Sequence, residues 1–248
     1  MDLDKIIEVA GLTVDFDGKT VLSDVSFNAY NGQVTVILGG SGSGKTTVLR
    51  QILGLNPIRQ GKINVLGKDI STLDESEQTK LYMKMGVFYQ NGGLISSLTV
   101  GENVALPLEQ HTNLPKEIIE EIVKMKLSLV YLQDTYKMYP SQLSGGMFKR
   151  AALARAIVMD PQMLLCDEPG AGLDPVSLAS LDQLILDLKK LMKMSIIIVT
   201  HEVSSILRIA DRVIFLENTK AIFEGTLSDA LKSKKEPLIN FFNKGKGQ

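Results

Sequence analysis

The stretch Val34-Thr35-Val36-Ile37-Leu38-Gly39-Gly40-Ser41-Gly42-Ser43-Gly44-Lys45-Thr46-Thr47 decides how the rest of the chain is read. Residues 34–38 have the apolar composition of a buried strand. Val48, Leu49, Ile52 and Leu53 then recur at helical spacing until Gly54 ends the pattern. Between strand and helix, Gly39 to Thr46 fit G-x-x-x-x-G-K-[ST], which arises by chance about 1% of the time in a chain of this length. Residues without a Cβ let successive backbone N–H groups curl around phosphate oxygens, and the helix start adds partial positive charge. Lys45 then serves the β- and γ-phosphates, Thr46 offers its hydroxyl to Mg²⁺, and Thr47 completes the first turn beside it. The stretch implies binding of a nucleoside triphosphate.

Composition narrows what surrounds this loop. The 248 residues can bury a full core, and 44% hydrophobic with 22% charged residues is ordinary for a globular protein. A net charge of −1 gives no basic footprint for nucleic acid. Cys166 is the one cysteine, so no internal disulfide is expected. No apolar run reaches the roughly 18 to 20 residues that span a bilayer, and Met1 to Lys5 lack a signal peptide's layout. The expectation is a cytosolic chain whose membrane role, if any, runs through a partner.

Before the loop, residues 6–16 and 21–30 read as antiparallel strands joined by an Asp17-Gly18 turn. Phe16 stands at that turn either as an aromatic face for a purine or as a core residue. After the loop, residues 62–67 form a short strand, 71–80 a polar helix or surface turn, and 84–90 a buried strand ending at Gln90. A glutamine there can reach Mg²⁺ or an attacking water, or simply be a solvated loop residue. Asn91-Gly92-Gly93 loosens the segment that follows, so it can move between two positions. Residues 115–132 are an amphipathic helix, while His111 lies in an unpatterned loop. Ser144-Gly145-Gly146 open an Ala-rich helix with Lys149, Arg150 and Arg155, a second potential phosphate site, although many helices begin at Ser-Gly.

Met163-Leu164-Leu165-Cys166 is an apolar run ending in Asp167 and Glu168. Acids at a strand's carboxyl end point into the crevice where open α/β sheets bind ligands. Asp167 fits as a ligand to Mg²⁺ and Glu168 as a general base for water. Asp174-Pro175 has the signature of a helix start, with Leu178, Leu181, Leu184, Ile185, Leu188 and Leu191 as the buried stripe. Ile196 to Thr200 form the next buried strand, ending at His201, whose imidazole can bond a γ-phosphate or a water. A last strand pair lies around Glu217-Asn218, and residues 232–248 read as a mobile tail apart from Leu238, Ile239, Phe241 and Phe242.

In order, the chain carries the phosphate loop at 39–46, Gln90, Leu143-Ser144-Gly145-Gly146, the acidic strand end at 163–168, the Leu173-Asp174 turn and His201. This series resembles the nucleotide-binding subunits of ATP-binding cassette (ABC) transporters, over nearly the whole chain. The resemblance implies a single α/β P-loop NTPase domain spanning 1–248, with a RecA-like core, an N-terminal antiparallel β lobe and a helical lobe at about 91–159. It implies catalysis by Glu168, His201, Lys45 and Gln90, with Mg²⁺ held by Thr46, Gln90 and Asp167. It also implies a head-to-tail homodimer with two ATP molecules between subunits. Ser144, Gly145 and Gly146 of one then meet the γ-phosphate held by Lys45 of the other.

Met147 stands where the signature usually has Gln, Gly40 where Pro or Ala is frequent, and Gly170-Ala171-Gly172 in place of a Ser/Thr-rich turn. None removes a catalytic group. The Leu-Ser-Gly-Gly-Met form, with residues 103–108 and 111–115, looks most like the MlaF type, which energises MCE-associated phospholipid transport. That implies a polytopic permease on the cytoplasmic face of the inner membrane, with MCE-type substrate-binding and small cytosolic accessory subunits. The runner-up is a cassette for amino-acid or lipoprotein transport. A DNA-acting ABC ATPase needs a long coiled-coil insertion, and only 97 positions separate Thr46 from Leu143. A translation-factor type needs two cassettes.

Overall fold

The computed structural model describes residues 4–16 and 18–244. The chain divides into two compact units, one running to Tyr82 and resuming at Ser195, the other Met83–Met194. In the first, β1 (Lys5–Phe16) and β2 (Lys19–Tyr30) form an antiparallel hairpin. Asp17, half of the expected turn, lies outside the described residues, and Gly18 turns the chain at φ 77°. Next come β3 (Val34–Gly39), α1 (Lys45–Ile52), β4 (Gln60–Val65), the two-residue β5 (Lys68–Asp69) and α2 (Glu75–Tyr82). One antiparallel sheet has the order β2-β1-β4-β5. Ile7, Val9, Leu12, Leu22, Val25 and Phe27 are buried on it, the alternation expected of a sheet with one wet face.

The second unit holds β6 (Met85–Phe88), α3 (Val100–His111), α4 (Lys116–Leu129), a 3-10 turn at 140–142, α5 (Gly145–Ala156), β7 (Met163–Asp167) and α6 (Pro175–Met192). β6 and β7 pair in parallel, with Phe88 opposite Cys166. Helices α3 to α5 fall within the stretch expected to be a helical lobe. α3 itself is a correction: His111, expected in an unpatterned loop, is the last residue of this helix. The missed signal is a capping box: Glu102 N donates to the Thr99 hydroxyl at 3.2 Å and Thr99 N to the Glu102 carboxylate at 2.7 Å. Asn103 and Pro107 interrupt the apolar stripe that would have revealed the helix. α6 starts as expected, with the Asp174 carboxylate accepting from Val176 and Ser177 N–H groups, both at 3.0 Å. Its stripe is buried through Leu188, but Leu191 is 64% exposed in the last turn.

Back in the first unit, β8 (Ser195–Val199), α7 (Val203–Ile209), β9 (Arg212–Glu217), β10 (Lys220–Thr226), α8 (Leu227–Leu231) and α9 (Glu236–Lys244) follow. Strand order there is β10-β9-β3-β8, with β3 parallel to both neighbours and β10 antiparallel to β9. Every residue of β3 is buried, which is why it reads as a continuous apolar run. In the stretch from residue 232, where Leu238, Ile239, Phe241 and Phe242 are the residues expected to stand apart from a mobile tail, α9 buries Leu238 and Phe242, and Phe241 meets the Phe215 ring edge-on at 5.4 Å. Residues 245–248 lie outside the described residues. No helix among the described residues is long and apolar enough to cross a membrane. The α/β class, the antiparallel β lobe and the inserted helices are those the sequence implied.

Candidate active site

The phosphate loop hangs between the end of β3 and the start of α1. Its shape depends on glycine. Gly44 sits at φ 95°, and a Cβ there would lie 2.5 Å from Leu22 Cδ2 and 3.1 Å from the Val21 carbonyl oxygen. A Cβ on Gly39, at φ 154°, would strike the Leu216 carbonyl. Lys45 is buried, and its ammonium folds back to donate to the carbonyls of Gly39 at 3.0 Å and Gly40 at 2.9 Å. Ser43 Oγ is buried with no hydrogen-bond partner among the described residues, a cost that an anion in the loop would remove. These features fit a triphosphate.

Parallel register brings His201 to this loop. Ile37 pairs with Val199, so two residues further on, Gly39 and His201 leave the sheet at the same edge. His201 is exposed there. Phe16 lies at the hairpin end of β1, near the part of β2 that packs on Gly44, and is 44% exposed. That exposure sets aside the core reading of Phe16 and leaves its ring accessible.

In the other unit the same logic assembles a second set. Phe88 pairs with Cys166, so Gln90 and Glu168 leave β6 and β7 at one level, with Asp167 the last residue of β7. Glu168 is buried and adopts φ 47°, a left-handed conformation costing a side-chain-bearing residue roughly 1–2 kcal/mol. Strain of this kind concentrates at functional sites. Burial pushes the neighbouring Cys166 thiol's pKa far up, so it stays protonated and inert. At the start of α5, Met147 N donates to the Ser144 hydroxyl at 3.3 Å. The N–H groups of Gly145 and Gly146, in the first turn, have no intrahelical acceptor and can serve an anion.

Among the described residues no group of three or more His, Cys, Asp or Glu is placed to hold a metal. A cation such as Mg²⁺ that takes one or two protein ligands and completes its shell with phosphate oxygens and water needs no such cage. The Thr46 hydroxyl and the Asp167 carboxylate are hard oxygen donors of that kind.

A family model described as "ABC transporter" matches residues 22–171, from β2 through the phosphate loop, the signature helix and Glu168. The chain belongs to the ABC transporter family. It is an ATP-hydrolysing subunit of that family, similar along 95% of its length, at 38% identity, to the intermembrane phospholipid transport ATP-binding protein MlaF of Haemophilus influenzae, 89% of which is covered. A probable ribonucleotide transport ATP-binding protein, mkl of Mycobacterium leprae, is 39% identical over 99% of this chain and 71% of its own. In structure, the ABC cassette MJ0796, solved as a dimer with ADP and phosphate, superimposes with a TM-score of 0.80 at 29% identity, covering 89% of this chain and 98% of the other.

Three residues of this ATPase that hold the site's framework were not singled out for such a role in the sequence. Asn103 is buried on α3, and Lys149 and Arg155 on α5 reach the segment after Gln90. Their one sequence signal is polarity on helical faces that are otherwise apolar. The segment after Gln90, read as loose, is fastened at its carbonyls.

Proposed function

We propose that this ATPase is the motor subunit of an MCE-associated phospholipid transporter. The observation that carries the reading is the 38% identity to a phospholipid-transport ATP-binding protein, sustained over 95% of this chain and 89% of the relative. Lys45, Ser43 and the N–H groups of residues 39–47 hold the phosphates of ATP; Thr46, Asp167 and Gln90 hold Mg²⁺. The ion supplies charge neutralisation on the phosphate oxygens when bound. Glu168 takes the proton of the attacking water, and His201 orients that water or the γ-phosphate through its ring nitrogens. Phe16 offers its accessible face to the adenine.

Ser144, Gly145 and Gly146 act in trans on the ATP held by a second copy, which gives the first-turn N–H groups of α5, without intrahelical acceptors, an anion to bind. The dimeric MJ0796 structure supports that arrangement by likeness. The subunit works at the cytoplasmic face of the inner membrane, bound to a polytopic permease through residues near Gly93 to Ser97, with MCE-type and small cytosolic accessory subunits in the complex and no nucleic-acid partner. The mkl relative favours a second reading, transport of a ribonucleotide. Affinity purification from membranes in mild detergent separates the two. Recovery of an MCE-type permease and co-purifying phospholipid supports the first. A permease that binds nucleotides sinks the lipid assignment, and recovery of no membrane protein overturns the transporter reading of this chain.

A further inference from the structure

Lys149 is a buried cation with no ion pair among the described residues. Only 8% of it is exposed, and among the described residues its ammonium meets the Gln90 carbonyl, 2.5 Å from Nζ, and the Phe88 ring, 5.6 Å from Nζ to the centroid. Taking an ammonium out of water costs several kcal/mol that one carbonyl and one ring do not fully offset. Burial accordingly lowers the lysine's pKa. A methionine would fill the same space without that cost, so the charge is kept for what it holds.

What it holds is the backbone at Gln90. Six residues further along α5, Arg155 donates to the carbonyls of Gly93 at 2.6 Å and Gly92 at 2.8 Å. Gly92 lies so close to the helix that a Cβ would come within 2.5 Å of the Phe148 ring. Three carbonyls in four residues are thus bound to side chains of the helix that Ser144 caps. The Gln90 side chain is exposed and projects from the first of them.

We infer that Lys149 is a positioning residue for Gln90: by fixing the Gln90 carbonyl to α5, it makes the Gln90 side chain follow any movement of the helix that begins at Ser144-Gly145-Gly146. The inference rests on the proposed role of Gln90 at Mg²⁺ or the attacking water. Closure of α5 on a nucleotide would then set the carboxamide in place without slack, and loss of the tether would leave it wandering by an ångström or more.

The test uses the full-length protein and its ATP hydrolysis measured against both ATP and Mg²⁺ concentration. Lys149→Met should lower kcat by up to about a hundredfold, the cost that misplacing a catalytic group by about 1 Å can carry. It should also raise the Mg²⁺ concentration for half-maximal rate while leaving binding of a fluorescent ATP analogue, without Mg²⁺, within twofold of the parent. Lys149→Arg, which keeps a donor and the charge, should restore most of the rate. Gln90→Ala should match Lys149→Met, and the double variant should be no slower than Gln90→Ala alone, because the two residues act through one group. Multiplying losses in the double variant, with Gln90→Ala itself impaired, would overturn the Lys149 inference alone. Full activity in Gln90→Ala would overturn the role of Gln90 and the inference with it. Equal thermal melting of the variants would exclude a folding defect as the cause.

Discussion

The carboxamide of Asn103 binds both backbone groups of Ile95, accepting its N–H at 2.7 Å and donating to its carbonyl at 3.0 Å. The same Nδ2 lies 3.1 Å from the Leu98 carbonyl and 2.9 Å from that of Thr99. One fully buried side chain therefore holds the far end of the segment whose near end is held by Lys149 and Arg155. Asn103→Leu keeps the branching of the side chain and strands the Ile95 N–H. The expected loss is about 1–3 kcal/mol in urea unfolding, together with faster proteolysis confined to residues near 93–99. Unchanged cleavage of that segment would count against Asn103 as its clasp.

Glu168 combines burial with a left-handed backbone at the end of β7. Glu168→Gln keeps the shape and removes the proton acceptor. Turnover should fall about 10²- to 10⁴-fold, while ATP affinity stays near that of the parent because the phosphate loop is untouched. With hydrolysis blocked, ATP should hold two copies together. Size-exclusion chromatography with and without ATP reads this, and a monomer under both conditions would argue against a nucleotide sandwich.

How much of this was legible in the sequence depends on where each constraint is local. The phosphate loop, the Asp174 cap and the apolar β3 and β7 announce themselves because glycine spacing, a capping carboxylate and continuous burial are written in consecutive residues. α3 was not legible: Pro107 and buried Asn103 break its stripe, and its signal, Thr99 with Glu102, is two residues wide. α9 was hidden by Lys, Asn and Gly around its apolar residues, and its Phe241 packs on Phe215, a partner distant in sequence. At the site, the residue types were readable but the pairing was not. That Gln90 and Glu168 share a level follows from the β6/β7 register, and that Lys149 reaches the Gln90 carbonyl follows from packing between segments 59 residues apart.

The Lys45 ammonium bonds the carbonyls of Gly39 and Gly40, which stiffens the loop, and its proposed second task is to serve the phosphates. Lys45→Ala removes both. Because hydrogen bonds to charged groups contribute about 1.5–3 kcal/mol, ATP affinity should fall about tenfold to a hundredfold, with ADP affected less. Equilibrium titration with a fluorescent analogue measures this. An unchanged Kd would remove Lys45 from the phosphate site, whatever happened to the rate.

Ser144 caps a helix in one unit, and its proposed target is a phosphate bound by another copy. Ser144→Arg puts a bulky cation at the helix start, so the isolated subunit should bind ATP as the parent does and fail to hydrolyse it. Mixing sharpens the expectation. In a dimer of one Ser144→Arg chain and one Lys45→Ala chain, head-to-tail pairing places both defects in one composite site and leaves the other with parental residues. If each site turns over independently, the mixture should hydrolyse ATP measurably faster than either variant alone. A mixture as inactive as its components, with crosslinking showing that heterodimers have formed, would mean that one intact site does not suffice or that Ser144 acts on its own subunit. Repeating the test with parental and Lys45→Ala chains, the heterodimer isolated through a different tag on each chain, separates the two, since that heterodimer also has one intact site. Activity there, with none in the Ser144→Arg mixture, would place Ser144 in cis.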